Sequence, residues 1–163
     1  MYSDGKNRLM KIGVNYDVVR SFVACYEKFK DQPKDIVSDL RGETVNNACE
    51  AIFDYMCKKV SYKLDEDGKQ FIKSPARLLA DGCGDCKSLT MFVSCCLHCL
   101  GIQHIVRFVN FDGSDQYSHV YPVAIDENGK EIVMDMCETD EDGTPFYNYA
   151  RKYSVKKDFV YHG

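Results

Sequence analysis

The sequence predicts an α+β domain in which N-terminal helices and one central helix pack on an antiparallel β-sheet. Apolar residues recur at helical spacing up to Gly101, whereas alternation typical of β-strands dominates after it. Residues 86–100 are apolar on nearly every side, which a helix tolerates only when other elements cover it. Helices that precede strands in this way are typical of an α+β architecture. At 163 residues the chain is long enough for one domain with its own core.

Composition and charge indicate an ordinary globular protein. Apolar residues make up 45% of the chain and charged residues 28%. The formal net charge is −4 without a basic stripe, so neither nucleic acid nor an anionic membrane is an expected partner. The segment after Met1 lacks the apolar core of a signal peptide and no apolar run would span a bilayer, so we expect a cytoplasmic protein. Its nine cysteines are then expected to stay thiols, most of them buried.

The first third of the chain predicts helices. Residues 1–14 have no clear period and are expected to form an N-terminal extension, followed by one domain over residues 15–163. Apolar stripes predict a helix over residues 15–30, a short helical piece over 34–40 and a stronger helix from about 43 to 57.

The middle of the chain predicts a short strand and a helix that leads to the central one. Apolar and polar residues alternate over 60–64, which predicts a strand, and the following acidic turn allows it to pair with residues 69–72. Ser74 suits an N-cap and Gly82 suits a C-terminal stop, so we predict a short helix between them.

The central helix is predicted to begin at Cys86, after the small and acidic residues Gly84 and Asp85, and to end before Gly101. Cys86 therefore lies in the first turn, where unpaired backbone N–H groups and the positive end of the helix dipole favour a thiolate over a thiol. Cys86 is the candidate nucleophile.

Strands are predicted over residues 102–111, 117–125 and 131–137, and they complete an expected core over residues 43–137. Residues 144–163 form a tyrosine-rich tail that is expected to pack back on this core.

His119 and Asp135 lie on the last two predicted strands and supply a base and a group to orient it, as a thiol nucleophile requires. A two-residue turn at Asn128 and Gly129 would place the two side chains on opposite faces of the sheet. A type I turn with Gly129 left-handed in a bulge would instead place His119 opposite Cys137, with Asp135 as a diagonal neighbour on the same face. We predict the bulged turn.

A family resemblance is carried by several linked motifs. They are Gly84-Asp85-Cys86 at the start of an apolar helix, Leu100-Gly101-Ile102 at its end, Ser118-His119-Val120-Tyr121 on one strand and Met134-Asp135 on the next. In this order they resemble the transglutaminase-like superfamily, and the likeness extends over residues 43–137. The Ser-His-Val-Tyr variant also resembles transglutaminase-like proteins encoded among phage and prophage virion genes.

The resemblance implies a papain-like fold in which Cys86 is the nucleophile, His119 the base and Asp135 its orienting partner. It implies a peptidase or amidase that acts on a protein or peptide through a thioester, with no cofactor and no metal. The Cys86 N–H would bind the oxyanion together with an upstream donor, for which Gln70, Ser74 and a backbone group all remain open.

Other functions fit the same motifs. Relatives also suggest a protein-crosslinking transglutaminase, or a non-catalytic module that binds phage virion or assembly proteins, in the host cytoplasm or on the virion. Cys83 and Cys86 form a C-x-x-C that could be a redox pair. With cysteines 95, 96 and 99 and His98 they could form a zinc set, but a continuous helix rises about 1.5 Å per residue and would separate these ligands.

Overall fold

The computed structural model describes residues 12–64, 72–113 and 117–163, with side chains from Val18 onward. The helices are α1 (Ile12–Phe29), α2 (Lys34–Val37), a 3₁₀ turn (Ser38–Leu40), α3 (Val45–Lys59), α4 (Pro75–Asp81) and α5 (Cys86–Cys99). The strands are β1 (Ser61–Tyr62), β2 (Cys83–Gly84), β3 (His104–Asn110), β4 (His119–Ile125), β5 (Glu131–Val133) and β6 (Val155–Tyr161).

A four-stranded antiparallel sheet with the order β5-β4-β3-β6 forms the second half of the fold. The helices come first along the chain, so the predicted α+β class is confirmed. The described helices include none that is both long and apolar enough to cross a membrane.

The central helix α5 is buried from Lys87 to Leu97. Asp85 is its N-cap, as the sequence predicts, and Gly101 ends it in the left-handed conformation with φ +72°. The Ile102 N–H donates to the Leu97 carbonyl at 2.9 Å, which is the long bond of a Schellman motif. Both ends of α5 therefore have the capping chemistry that their residue types favour.

The sheet is covered on both faces. Val106, Phe108 and Val120 pack with Met91 and Cys95 of α5 and with α1 on one face. The other face carries a cluster of Val109, Tyr121, Val123 and Val133, on which Ala150 and Tyr153 pack. The tyrosine-rich segment thus lies against the body, as expected.

Several details differ from the sequence-based expectations. Strand β5 ends at Val133, short of the predicted end at residue 137, so Asp135 lies beyond the strand. Helix α1 begins at Ile12, before the predicted start at Asn15. Strand β1 pairs in parallel with β2, with Tyr62 opposite Gly84, whereas most of its expected partner (69–72) lies outside the described residues. Strand β6 has no counterpart among the predicted strands, because Lys156, Lys157 and Asp158 interrupt its apolar alternation.

Candidate active site

The Cys86 side chain is placed by the first turn of α5. The carboxylate of Asp85 accepts the N–H groups of Lys87 at 3.1 Å and Ser88 at 3.3 Å, and this capping fixes where the helix begins. The Lys87 ammonium forms an ion pair with the same carboxylate, and both side chains are buried. The pair offsets most of the negative charge that Asp85 would otherwise place next to a Cys86 thiolate.

A close backbone approach in front of Cys86 depends on Gly84. A Cβ atom at this position would lie 2.6 Å from Leu78 Cδ1 and 3.0 Å from Ser88 Cβ. Only glycine therefore lets β2 pass between α4 and α5 to deliver the chain to Cys86.

His119 is the first residue of β4, and its ring is fixed by Asp135. The His119 Nε2 and Asp135 Oδ2 atoms are 2.7 Å apart, and Asp135 is 2% exposed. The other carboxylate oxygen, Oδ1, accepts the Cys137 N–H at 2.9 Å. Since Nε2 contacts Asp135, Nδ1 is the ring nitrogen left for another partner, and Cys86 is among the groups that raise the pKa of the ring.

The strand register that brings these residues together is the predicted one. Val123 pairs with Val133 and Ile125 with Glu131, and Gly129 is left-handed with φ +79°. The Asp126 N–H donates to the Lys130 carbonyl at 2.9 Å, which closes a three-residue turn. This is the bulged turn, so the prediction that Asp135 lies on the face of His119 is confirmed.

The electrostatics of His119 favour a protonated ring. Burial lowers the pKa of His119, but hydrogen bonds and charge interactions with Asp135 and Cys86 raise it more strongly, to about 10. The imidazolium is therefore the dominant form at neutral pH, as a thiolate–imidazolium pair requires.

Aromatic rings enclose the imidazole. The His119 ring centroid lies 5.7 Å from that of Tyr121 and 6.1 Å from that of Phe111. The Arg151 guanidinium in turn covers the Phe111 ring at 4.0 Å. These contacts restrict rotation of the imidazole away from Asp135.

Tyr62 is a neighbour of the site that the sequence did not indicate. Tyr62 is 46% exposed, and the partial burial of its ring, with the negative charges of Cys86, Cys137, Asp85 and Asp135, raises its pKa. The register of β1 on β2 places Tyr62 beside Gly84, two residues before Cys86. Strands β1 and β2 come from distant segments and are joined through two residue pairs. No local sequence pattern reveals such a pairing.

A cavity of about 290 Å³ adjoins Tyr62. Its lining mixes apolar and polar side chains and comes from α3, β1, α5 and the segment after β5, and it includes Met56, Ser61, Leu89, Met136 and Thr139. Leu89 lies one turn beyond Cys86, so the cavity runs alongside the start of α5.

Of the two side chains predicted as oxyanion donors, the structure describes only Ser74. Ser74 is the N-cap of α4, where its hydroxyl oxygen accepts the Arg77 N–H at 3.2 Å, and Gln70 lies outside the described residues. The Lys73 N–H donates to Ser88 Oγ at 3.0 Å, so the segment that carries Ser74 runs beside the first turn of α5.

The alternative zinc set is not assembled. Helix α5 is continuous from Cys86 to Cys99, so about 20 Å of helix separates its first cysteine from its last. Cys95 and Cys96 are fully buried in the core. Cys83 and Cys86, the C-x-x-C pair, are both free thiols that are partly exposed.

No protein-family model and no curated protein matches the sequence. Similar solved structures include a candidate protease from Parabacteroides distasonis, with a TM-score of 0.57 and 14% identity over 69% of this chain and 25% of that one. A candidate cysteine protease from Cytophaga hutchinsonii matches with a TM-score of 0.53 and 13% identity, over 81% of this chain and 51% of that one. The chain thus spans between a quarter and about half of these two proteins.

Calcium-bound LapG from Legionella pneumophila is also similar, with a TM-score of 0.50 and 15% identity over 74% of this chain and 73% of that one. All three structures share little sequence identity with this chain, so the similarity concerns the fold. Together with the architecture described above, they show that this chain has an α+β fold similar to the folds of these three proteins.

Proposed function

We propose that the protein is a cysteine peptidase or amidase that acts through a thioester on Cys86. The observation that carries this proposal is the 2.7 Å contact between His119 Nε2 and Asp135 Oδ2. Cys86 also raises the pKa of the same imidazole. Acyl transfer needs a nucleophile, a base and a carboxylate that orients the base. Here the nucleophile lies at the start of a buried helix.

In the proposed reaction the Cys86 thiolate attacks a substrate amide carbonyl. The Cys86 N–H at the start of α5 donates to the oxyanion, and the segment beside Ser88 supplies a second donor. The His119 imidazolium then protonates the departing amine as the C–N bond breaks, which leaves a thioester and a neutral ring. His119 next deprotonates a water molecule that attacks the thioester, and the acid product leaves as Cys86 recovers its thiolate.

The cavity beside Tyr62 supports a protein or peptide substrate. Met56, Leu89 and Met136 line the cavity, and Leu89 lies one turn beyond Cys86, so we expect the cavity to accept an apolar side chain of a bound peptide. We expect substrates with such a side chain close to the scissile amide to react fastest.

The pH dependence of alkylation at each cysteine tests the nucleophile. Peptide mass spectrometry after brief iodoacetamide treatment gives a separate rate for Cys86 and for the partly exposed Cys83. We expect Cys86 to react faster than Cys83 at neutral and mildly acidic pH in the wild type.

His119→Ala should abolish the low-pH reactivity of Cys86 and leave that of Cys83 unchanged. Equal profiles for Cys86 in the two proteins would contradict the proposed thiolate–imidazolium pair. Incubation of a reactive ester substrate with and without a primary amine would then distinguish hydrolysis from protein crosslinking, because only a transferase forms the amide product.

A further inference from the structure

Arg151 is a cation close to the imidazole of the candidate site that the proposed reaction does not use. The central carbon of its guanidinium lies over the Phe111 ring, 4.0 Å from the ring centre. The same Phe111 ring is tilted against the imidazole of His119, with 6.1 Å between the two centroids. Arg151 is exposed to solvent. Phe111 therefore places an exposed positive charge at the rim of the site, on the side of His119.

The backbone that carries Arg151 is anchored before and after it. The Asn148 N–H donates to the Val133 carbonyl at 3.1 Å, and the Val133 N–H donates to Asn148 Oδ1 at 2.9 Å. After Arg151, the Ser154 N–H donates to the Asn110 carbonyl at 2.9 Å. A guanidinium that is stacked on an aromatic ring and carried by an anchored segment has less freedom to lose when it binds a ligand.

The guanidinium of Arg151 retains donors for a ligand. An arginine side chain has five N–H donors at the edge of a planar group, and stacking on Phe111 engages its face. In the part of the chain that the structure describes, no carboxylate forms an ion pair with Arg151. Arg107, by contrast, is paired with two carboxylates. The planar edge of arginine matches the two oxygens of a carboxylate, which is the anion that peptides carry.

The proposed reaction determines which part of a substrate would lie near this cation. His119 protonates the departing amine, so this amine and the peptide attached to it have to lie against the imidazole. The acyl part lies instead beside the start of α5, where Leu89 lines the cavity. The residues that adjoin His119, Phe111 and Arg151 among them, therefore border the leaving peptide.

We propose that Arg151 binds an acidic side chain of the leaving peptide, so that the protein prefers amides followed closely by aspartate or glutamate. This inference rests on the proposed function, because it requires a substrate that reacts at Cys86. It makes Arg151 a residue that determines specificity and gives it no part in the chemical step.

Two alkylating reagents that differ in one charge test this preference without a known substrate. Iodoacetyl-glutamic acid α-amide and iodoacetyl-glutamine α-amide have nearly the same shape, and each continues from its reactive carbon through an amide. Peptide mass spectrometry gives the rate of each reagent at Cys86. The ratio of the two rates cancels any change in the nucleophile itself.

The variants are Arg151→Gln, Arg151→Lys and the matched control Lys152→Gln, which removes the neighbouring exposed cation. At low salt the ratio of acidic to neutral reagent should fall by about threefold or more in Arg151→Gln and by less than about 1.5-fold in Lys152→Gln. Arg151→Lys keeps the charge but loses the planar edge, so its ratio should lie between those of the wild type and Arg151→Gln. Salt at about 0.5 M should remove most of the difference, because it screens exposed charges.

An unchanged ratio in Arg151→Gln would overturn the inference, and it is the result expected if Arg151 only packs on Phe111. An equal fall in Lys152→Gln would also overturn it, since the effect would then be one of general surface charge. Circular dichroism on each variant confirms that it is folded. If Cys86 reacts with the neutral reagent no faster than Cys83 does, the proposed function fails, whereas fast reaction with an unchanged ratio contradicts the inference alone.

Discussion

At the scale of single residues, the contact between Asp135 and His119 governs the protonation of the imidazole on which the proposed thiol activation depends. The negative charge of Asp135 is one of the causes that raise the pKa of His119 to about 10. Asp135→Asn keeps the shape but removes the charge, so we expect a lower His119 pKa and a smaller fraction of ion pair at neutral pH. The pKa is measured by NMR titration of the imidazole protons.

The same variant should lower kcat by about 10²- to 10⁴-fold, the range in which an orienting carboxylate and a general base act. Asp126→Asn, in the turn after β4, is the control that removes a carboxylate outside the site. An unchanged His119 pKa in Asp135→Asn would show that the contact does not govern protonation.

The pKa of a second histidine, His104, is lowered, whereas that of His119 is raised. His104 is completely buried, with Nε2 at 2.7 Å from Ser94 Oγ and Nδ1 at 3.0 Å from the Ile102 carbonyl. Burial lowers its pKa to about 4, although the bond to Ile102 opposes this shift. The ring is therefore neutral in the folded protein at pH values where the unfolded chain already binds a proton.

His104 should make the protein acid-sensitive. Its contribution to stability is complete above the unfolded pKa of about 6.5 and is lost as the pH falls towards 4, at up to about 1.4 kcal/mol per pH unit. Urea unfolding at pH 7 and pH 5 should show this loss in the wild type and a smaller loss in His104→Gln. His98→Gln, at a half-buried histidine, is the control, and an equal loss in all three proteins would contradict the assignment.

At the scale of elements, the approach of β2 to α4 and α5 controls the position of Cys86. Gly84→Ala would force a Cβ against Leu78 and Ser88, and overpacking of this kind costs about 1–3 kcal/mol. Leu78→Val removes the Cδ1 atom that the new Cβ meets. The Gly84→Ala cost in urea unfolding should therefore be smaller in the Leu78→Val background, and an additive double variant would argue against this clash.

The elements also show what the sequence reveals and what it hides. Capping residues at Asp85 and Gly101 and the turn at Gly129 act over a few residues, so the bounds of α5 and the register of β4 on β5 are predictable. The contact of His119 with Asp135 lies beyond the last pair of that register, Val123 with Val133, so the turn alone does not determine it. The domain boundaries at 14 and 15 and the catalytic roles themselves stay predictions.

The features that the sequence hides depend on contacts between distant segments. Strand β6 pairs with β3 at the edge of the sheet. Its outward-facing charged residues interrupt the apolar alternation by which a strand is predicted from sequence. Tyr62 reaches the site through the parallel pair of β1 with β2, which are separated along the chain by α4. Neither pairing leaves a periodic signal in the sequence.

At the scale of the whole molecule, Arg107 joins the strands of the sheet. Its guanidinium is 5% exposed and bonds both Glu131 of β5 and Asp158 of β6, at 2.8–3.1 Å. The bonds to Arg107 lower the pKa of Glu131. Burial raises the pKa of Asp158, but its bonds to Arg107 and Lys156 together lower it by more. The stabilisation is thus present at neutral pH and is lost as the pH falls through the lowered values.

Removal of residues 144–163 should therefore unfold the protein. It deletes β6 and one partner of Arg107, and it leaves a buried cation less well paired, a loss that typically costs about 3–5 kcal/mol. We expect lost helical and β signals in circular dichroism. A folded truncated protein would show that β6 is dispensable, whereas the milder Asp158→Asn should fold with reduced stability.

The pairing of β6 with β3 also sets an order of events during translation. A ribosome that has released the chain only as far as Cys137 has already delivered Cys86, His119 and Asp135, yet the strand beside β3 is still inside the exit tunnel. Arg107 can bond its second carboxylate only after Asp158, which lies 51 positions later in the chain, has been synthesised. A nascent chain at that stage therefore carries the proposed catalytic residues without the strand that completes the sheet.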